Sequence, residues 1–310
     1  MTKENKQQDS LLGLPRDIYK LLLKPEGHKV CEDNLTSLLC DLEKVIRRYV
    51  EDPPDKPKES QSLRMSMIGV GLRRFWFEYH LGHLLTTTDE IDLDDPDVDI
   101  NSLGQQQMRF FVGSLMEPIL IFLIKEAGYN VTQEQAEVEV DGVKGHLDLV
   151  IERFLTDVKT ASQWGFTKFE GGVDKLIEDD PFGYIPQLSG YEEGLKTGKP
   201  VYFFVYNKSS HKIVVVEVPP EHLIDVKDKI KKLREVRDLD QPPEEKCWGD
   251  GDPHGKSGNL LLPKNCGFCP FKKVCWADAN NGGGIRTFKY SDGYKDFVHV
   301  EKEPNVREVV

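Results

Sequence analysis

The sequence predicts an α/β fold: an αβββαβ core whose mixed central sheet is flanked by helices, with a helical region before it and a cysteine-rich segment after it. Three observations predict this. An apolar helical pattern runs over 103–127 and stops at Gly128, a residue suited to a left-handed helix cap. Between 134 and 159 the period falls to two and β-branched residues take over. From 184 onward a further helix and two strands follow.

Residues 1–60 form the N-terminal helical region and linker. Leu35, Leu38, Leu39, Leu42, Val45 and Ile46 recur at helical spacing and predict an amphipathic helix over 34–50, which Pro53, Pro54 and Pro57 then end. Residues 61–240 form the core. Its first helix, Met67–Leu85, is rich in aromatic and aliphatic residues and carries Arg73 and Arg74 on a basic edge. Asp89, Glu90, Asp92, Asp94, Asp95, Asp97 and Asp99 then make a solvated acidic loop. A calcium loop is excluded there, because Pro96 and Asp97 stand where an EF-hand needs its glycine turn and next ligand. After the 103–127 helix, QAEVEV, VKGHLDLVIE and FLTDVKT read as three successive antiparallel strands. A glycine-rich loop, a helix over 184–196, the strands VYFFVYN and KIVVVEV, and a charged helix over 220–236 complete the core. Residues 241–280 hold four cysteines, and 281–310 are expected to be an extended charged tail.

A net charge of −12 excludes a protein that coats nucleic acid by bulk electrostatics, though not one with a local basic cleft. No run approaches the roughly 18 to 20 uninterrupted apolar residues of a membrane span. The polar start MTKENKQQDS has no apolar segment behind a basic cluster, so a cytoplasmic protein without a membrane partner is expected.

Hydrolysis of a phosphodiester calls for a cation to neutralise developing charge and a group to orient the attacking water. Asp157 and Lys159 lie two apart on a predicted strand, so both project from one face about 6.6 Å apart. Asp148 on the preceding strand falls beside Asp157 across a short turn. Glu117 interrupts an apolar helix face, where a buried carboxylate is costly unless paired. His146, near Asp148, reads as a structural histidine rather than a ligand. Arg64, Arg73, Arg74, Lys168, Asn207 and Lys208 are candidate phosphate contacts.

The order of helix with Glu, strand with Asp, strand with Asp-x-Lys, then helix resembles the PD-(D/E)xK nuclease superfamily, in its RecB-like exonuclease branch. Gly113 to Glu117 is similar to the first motif, Gly145 to Asp148 to the second, and Asp157 to Lys159 to the third. Gln187 and Tyr191, one helical turn apart, resemble the branch's extra Q-x-x-x-Y motif. The resemblance spans roughly 64–275. It implies a restriction-endonuclease-like core and a magnesium- or manganese-dependent DNA exonuclease of phage-type recombination or end processing. It implies that Glu117, Asp148, Asp157 and the Val158 carbonyl hold the metal and that Lys159 polarises the water. Gln187 would steady the scissile-side backbone or Lys159, and Tyr191 would lie against DNA. DNA is the implied partner, with a recombinase, helicase or single-strand-binding protein as possible company.

Of six cysteines, Cys247, Cys266, Cys269 and Cys275 crowd together, and the C-x2-C-x5-C of the last three points to metal. Cys31 and Cys40 read as packing residues. The triplet resembles the iron-sulfur members of the superfamily, which implies a 4Fe-4S cluster, with Lys272 and Lys273 near DNA. In those members a further cysteine lies upstream of the core. Here Gly71 stands in its place, so the fourth ligand must be Cys247, Cys31 or Cys40. Structural zinc on the four local cysteines is the alternative. Three other readings remain: a catalytically silent DNA-binding scaffold, an endonuclease of the same superfamily, and a redox or regulatory cluster protein.

Overall fold

The computed structural model describes residues 9–51, 63–82 and 100–309. The acidic segment from Asp89 to Asp99 and the prolines at 53–57 lie outside them. In chain order the helices are α1 (Leu14–Leu22), α2 (Glu32–Val50), α3 (Leu72–Leu81), α4 (Ile100–Glu126), α5 (Gln163–Glu170), α6 (Gly172–Glu178), α7 (Tyr184–Leu195), α8 (Val226–Arg237) and α9 (Lys272–Cys275). The strands are β1 (Val131–Thr132), β2 (Glu137–Val140), β3 (Val143–His146), β4 (Leu149–Ile151), β5 (Phe154–Ala161), β6 (Val201–Asn207) and β7 (Ile213–Val218), then β8 (Asp252–Pro253), β9 (Leu260–Leu261), β10 (Arg286–Tyr290), β11 (Gly293–His299) and β12 (Glu308–Val309). They fall into two compact units. The first takes in α1, α2 and all of 100–230; the second takes in α3 and the chain from Lys231 onward.

In the first unit a mixed five-stranded sheet has the order β1-β4-β5-β6-β7. Only β5 and β6 pair in parallel, in register from Thr156↔Tyr202 to Ala161↔Asn207. A parallel pair needs a long crossover, which α5, α6 and α7 supply. β5 and β6 read as near-continuous apolar runs because both faces are covered, and Phe154, Leu155, Phe203, Phe204 and Val205 are buried. Leu120 and Ile124 of α4 pack into the core with Leu149, Val158 and Tyr202. α4 is long and apolar enough to cross a membrane by length and composition, and Leu120, Ile124 and Glu126 are its buried residues. It ends as expected: Gly128 has φ +93° and donates to the Lys125 carbonyl at 3.0 Å.

The expected second strand, VKGHLDLVIE, is cut in two. β3 pairs with β2 in a separate two-stranded sheet, while β4 joins the main sheet. At the break the Asp148 carboxylate accepts the Val158 N–H at 2.7 Å, replacing the ladder bond a continuing strand would have made. The expected glycine-rich loop is instead α5 and α6, joined at Gly171 and Gly172; Gly172 has φ +81°. The expected Met67–Leu85 helix starts later, at Leu72, and residues 83–85 lie outside the described residues. A β-carbon on Gly69 would stand 2.2 Å from the Gly183 α-carbon, so the backbones touch where a helix would need side-chain room.

α2 is held at its start by Glu126, whose carboxylate accepts from Asn34 at 2.6 Å, His28 at 2.8 Å and the Cys31 N–H at 3.2 Å. Burial pushes this carboxyl up, but the three donors outweigh it and hold it below its ordinary value. Its stabilisation is therefore present above the ordinary glutamate pKa and fades as pH falls through the lowered one. Glu126→Ala is expected to cost about 1–3 kcal/mol at pH 7, read as a urea midpoint, and less at pH 4. Cys31 and Cys40 are exposed rather than packed, since both sit on the solvent side of this helix region.

In the second unit residues 252–309 form a five-stranded sheet, order β12-β10-β11-β9-β8, in place of an extended tail. Phe288 and Phe297, 5.4 Å apart edge to face, give that sheet its buried side, and their cross-strand partners on the same face, Lys295 and Arg286, disguise it as charged sequence.

Candidate active site

β5 ends at the floor of a cleft of about 580 Å³ whose wall is α4 and whose lining includes Glu117, Val158 and Lys159. Glu117 faces β5 because a neighbouring residue lets the helix approach. A β-carbon on Gly113, one turn earlier, would stand 3.2 Å from Thr160 Oγ1. Gly145 is required in the same way, since its β-carbon would stand 2.4 Å from Met65 Cβ and 3.0 Å from Tyr191 Cε1.

Asp157 is buried at 2% exposure. Lys159 Nζ donates to its Oδ1 at 2.9 Å. Oδ2 lies 2.7 Å from the same ammonium, so both carboxylate oxygens are held by one cation. Burial works against charge on Lys159, yet Asp157 and Asp148 outweigh it and hold the ammonium protonated well above the usual lysine range. Burial, and then the neighbouring Asp157 and Glu117, push the Asp148 carboxyl up to about 8. Glu117 is raised too, chiefly by burial, and accepts from Gln135 Nε2 at 3.1 Å. Three carboxylates thus face one ammonium. Fully ionised, the group carries a surplus of negative charge that a divalent cation would neutralise. Val158 turns its N–H toward Asp148, and in a strand the carbonyl of that residue faces the same edge. No group of three or more His, Cys, Asp or Glu is drawn up as a ready-made ion site among the described residues, so any cation there is bound with side-chain adjustment.

These shifts have a measurable consequence without metal. A carboxyl raised from 3.8 to about 8 on folding contributes stability that is full at low pH and lost as pH rises through the folded value. In EDTA the melting temperature is expected to fall from pH 5 to pH 8, and Asp148→Asn is expected to flatten that fall. An equal slope in the variant would refute the assignment.

Asp180 fixes α7 by accepting the N–H groups of Tyr184 and Ile185, each at 2.9 Å. Gln187 Nε2 donates to Tyr191 Oη at 2.8 Å, rather than to Lys159. Tyr191 is 4% exposed, so it packs on Gly145 and does not offer a face to DNA. Burial raises its hydroxyl to about 12. The ring of Tyr184 lies 5.5 Å from Lys159 Nζ, a cation-π contact the sequence reading missed. Its signal was present: Tyr184, Gln187 and Tyr191 share one helical face. Gln135 carried no signal.

The other candidates separate. His146 is exposed on β3 opposite Glu137. Asn207 is buried and holds the β6–β7 turn through Ser209 N and Ser210 N, so it is structural. Lys168 is paired with Asp179 at 2.6 Å and lies over Trp164. Arg64 is exposed beside Lys144. Lys208 lines the cleft, along with Arg48 and Arg109, which had not been singled out.

In the second unit Cys247, Cys266, Cys269 and Cys275 line one small cavity, roofed by Arg74 and Phe77 of α3. Arg73 Nε donates to Cys275 Sγ and the Arg74 N–H to Cys247 Sγ, both at 3.3 Å. The Arg73 guanidinium is thus taken up by a thiol and the Pro243 carbonyl, and that of Arg74 lies 3.7 Å from the Glu78 carboxylate. Burial pushes the Cys247 and Cys269 thiols up, and Cys266 to about 12. Lys272 pairs with Asp296 at 3.2 Å. A β-carbon on Gly71 would stand 2.4 Å from Cys247 Sγ, so that thiol fills the side-chain space of residue 71.

No protein family matches the chain, and no curated protein matches it. Among solved structures, one described as "Crystal structure of SSO0001" is similar at 13% identity, over 76% of this chain and 95% of that chain, with a TM-score of 0.40. That likeness is too slight to carry an argument.

Proposed function

We propose that the chain is a magnesium- or manganese-dependent deoxyribonuclease of the PD-(D/E)xK superfamily, with a restriction-endonuclease-like core of the RecB-like exonuclease branch, acting on DNA ends. The observation that carries the reading is the mutual electrostatic influence of Glu117, Asp148, Asp157 and Lys159 beside an open cleft that Glu117, Val158 and Lys159 line. Glu117, Asp148, Asp157 and the Val158 carbonyl would hold the metal, which supplies charge neutralisation at the scissile phosphate. Asp157 keeps the Lys159 ammonium charged and aimed, and Lys159 orients the attacking water. Tyr184 limits where that ammonium can swing. Gln187 and Tyr191 act as a pair that braces the floor beneath Gly145.

The four thiols, with two N–H donors already directed at sulfur, support a bound 4Fe-4S cluster, with structural zinc as the alternative. The role assigned to it is structural.

The purified protein with linear DNA and magnesium should release nucleotides, EDTA should stop the release, and Asp157→Ala should show none. Full activity in that variant would overturn the site. DNA binding without cleavage at any divalent metal would favour the silent scaffold.

A further inference from the structure

The first turn of α3 is turned toward sulfur. Its cap position is Gly71, which has no side chain to accept the N–H groups that a helix leaves free at its start. Cys247 Sγ fills that space and accepts the Arg74 N–H at 3.3 Å. The Arg73 guanidinium is fixed in three directions: Nε donates to Cys275 Sγ at 3.3 Å, Nη1 donates to the Pro243 carbonyl, and the group lies over Phe77, 5.4 Å from the ring centroid. Phe77 is 4% exposed and stacks in turn on Phe271, so the platform under the guanidinium is itself packed. A further donor belongs to Trp276, just after α9. Its indole N–H is buried with no oxygen or nitrogen acceptor among the described residues, and it draws Cys266 toward the thiolate against the push of burial. Lys246 holds that ring from its face, with Nζ 4.0 Å from the ring centroid and donating to the Cys275 carbonyl at 3.1 Å.

A protonated thiol is a weak acceptor, so these donors gain little from it; a thiolate makes each of them a charge-assisted bond. Four thiolates around a dication also leave a surplus of negative charge in a buried place, which is costly unless cations and N–H groups face it. The start of α3 brings the positive end of its dipole as well as Arg73. Resting on the metal reading above, we infer that Arg73 and Trp276 are positioning residues of the metal group: they hold the Cys275 and Cys266 sulfurs in the charged form, slow the loss of the metal, and favour the more negative, reduced state of a cluster. Hydrogen bonds to sulfur are among the levers that set the potential of such a group. Arg73 suits the role because its grip is formed before any metal arrives, with Pro243 and Phe77 fixing the guanidinium from the sides that sulfur does not occupy.

The test uses the full chain as purified and reads iron, sulfide and zinc content, the rate of metal loss to EDTA, and the midpoint potential in a dithionite titration. Arg73→Gln deletes the charge. Trp276→Phe keeps a ring and deletes the N–H, and it carries the test if Arg73→Gln does not fold. Each variant is expected to lose its metal about 10- to 100-fold faster than wild type. Each should also raise the ratio of oxidised to reduced cluster about tenfold, a midpoint lower by about 59 mV for one electron. Lys289→Gln, an exposed charge of the same unit, should change neither quantity. If both variants melt lower yet hold their metal and midpoint as wild type does, Arg73 and Trp276 are packing residues and the proposal is overturned. Zinc without sulfide in wild type sinks the cluster reading alone, and the rate of zinc loss then decides: faster loss in the variants upholds the positioning role, and unaltered loss overturns it. Wild type that carries no metal overturns both.

Discussion

Lys159→Met is expected to slow DNA hydrolysis by about 100- to 10,000-fold and, separately, to destabilise the metal-free protein by about 3 kcal/mol. The two effects share one cause. Among the described residues Lys159 is the ammonium that faces the three carboxylates, Asp157 is 2% exposed, and Asp148 is already pushed to about 8 with that ammonium in place. Without it, Asp157 keeps a buried charge with no partner. The Lys159 side chain is 23% exposed, which keeps the cost near the low end for a broken buried pair. Magnesium should reverse the second effect and not the first: at a hundred times its Kd a ligand restores about 2.7 kcal/mol, while no cation replaces the group that orients water. Asp157→Asn gives the contrasting pattern. Activity is lost to a similar extent, but one of three crowded negative charges is gone, so the metal-free melting temperature should hold or rise. If both variants melted alike, Lys159 would be a packing residue and the catalytic assignment would fail.

The sequence exposed the parts of this arrangement that depend on short spacings. Asp157 and Lys159 share a strand face by period two, and the helix of Glu117 and the helix of Gln187 follow from apolar recurrence and a glycine stop. What it hid are the features set by contact between distant segments. The cut at Asp148 was illegible because nothing in VKGHLDLVIE shows that its carboxylate will take the Val158 N–H from another strand. Tyr191 was misread because its burial depends on Gly145, forty-six residues earlier, leaving room for the ring. Arg109 was legible and passed over, although it stands two turns before Glu117 on the same face. The C-terminal sheet was hidden by composition: on β10 and β11 Arg286 and Lys295 share the phenylalanine face, opposite Phe297 and Phe288, so no clean polar-apolar alternation shows, and two-residue strands such as β8 and β12 have no period to detect.

Cys266→Ser is expected to abolish iron and sulfide, or zinc, in the purified protein and to release the second unit to proteolysis while the first stays folded. The core left to hold the four-cysteine region is small: Leu262, Trp276, Ala279 and Val298 are the other buried members of its cluster. Without metal the four cysteines add apolar contact but no tie between the segment of Cys247 and that of Cys266 to Cys275. A bound metal group supplies that tie, worth about 10–16 kcal/mol in zinc-finger peptides. The proposed fourth ligand can be tested through the space it fills. Gly71 has φ −62° and ψ 144°, ordinary extended backbone that any residue adopts, and its missing β-carbon would fall 2.4 Å from Cys247 Sγ. Cys247→Ala should therefore lose the visible absorption of a cluster, and adding Gly71→Cys in that background should restore it, because the second thiol is delivered to nearly the same point from α3. Zinc without sulfide in wild type would select the alternative metal. Full absorption in Cys247→Ala alone would remove Cys247 from the ligand set.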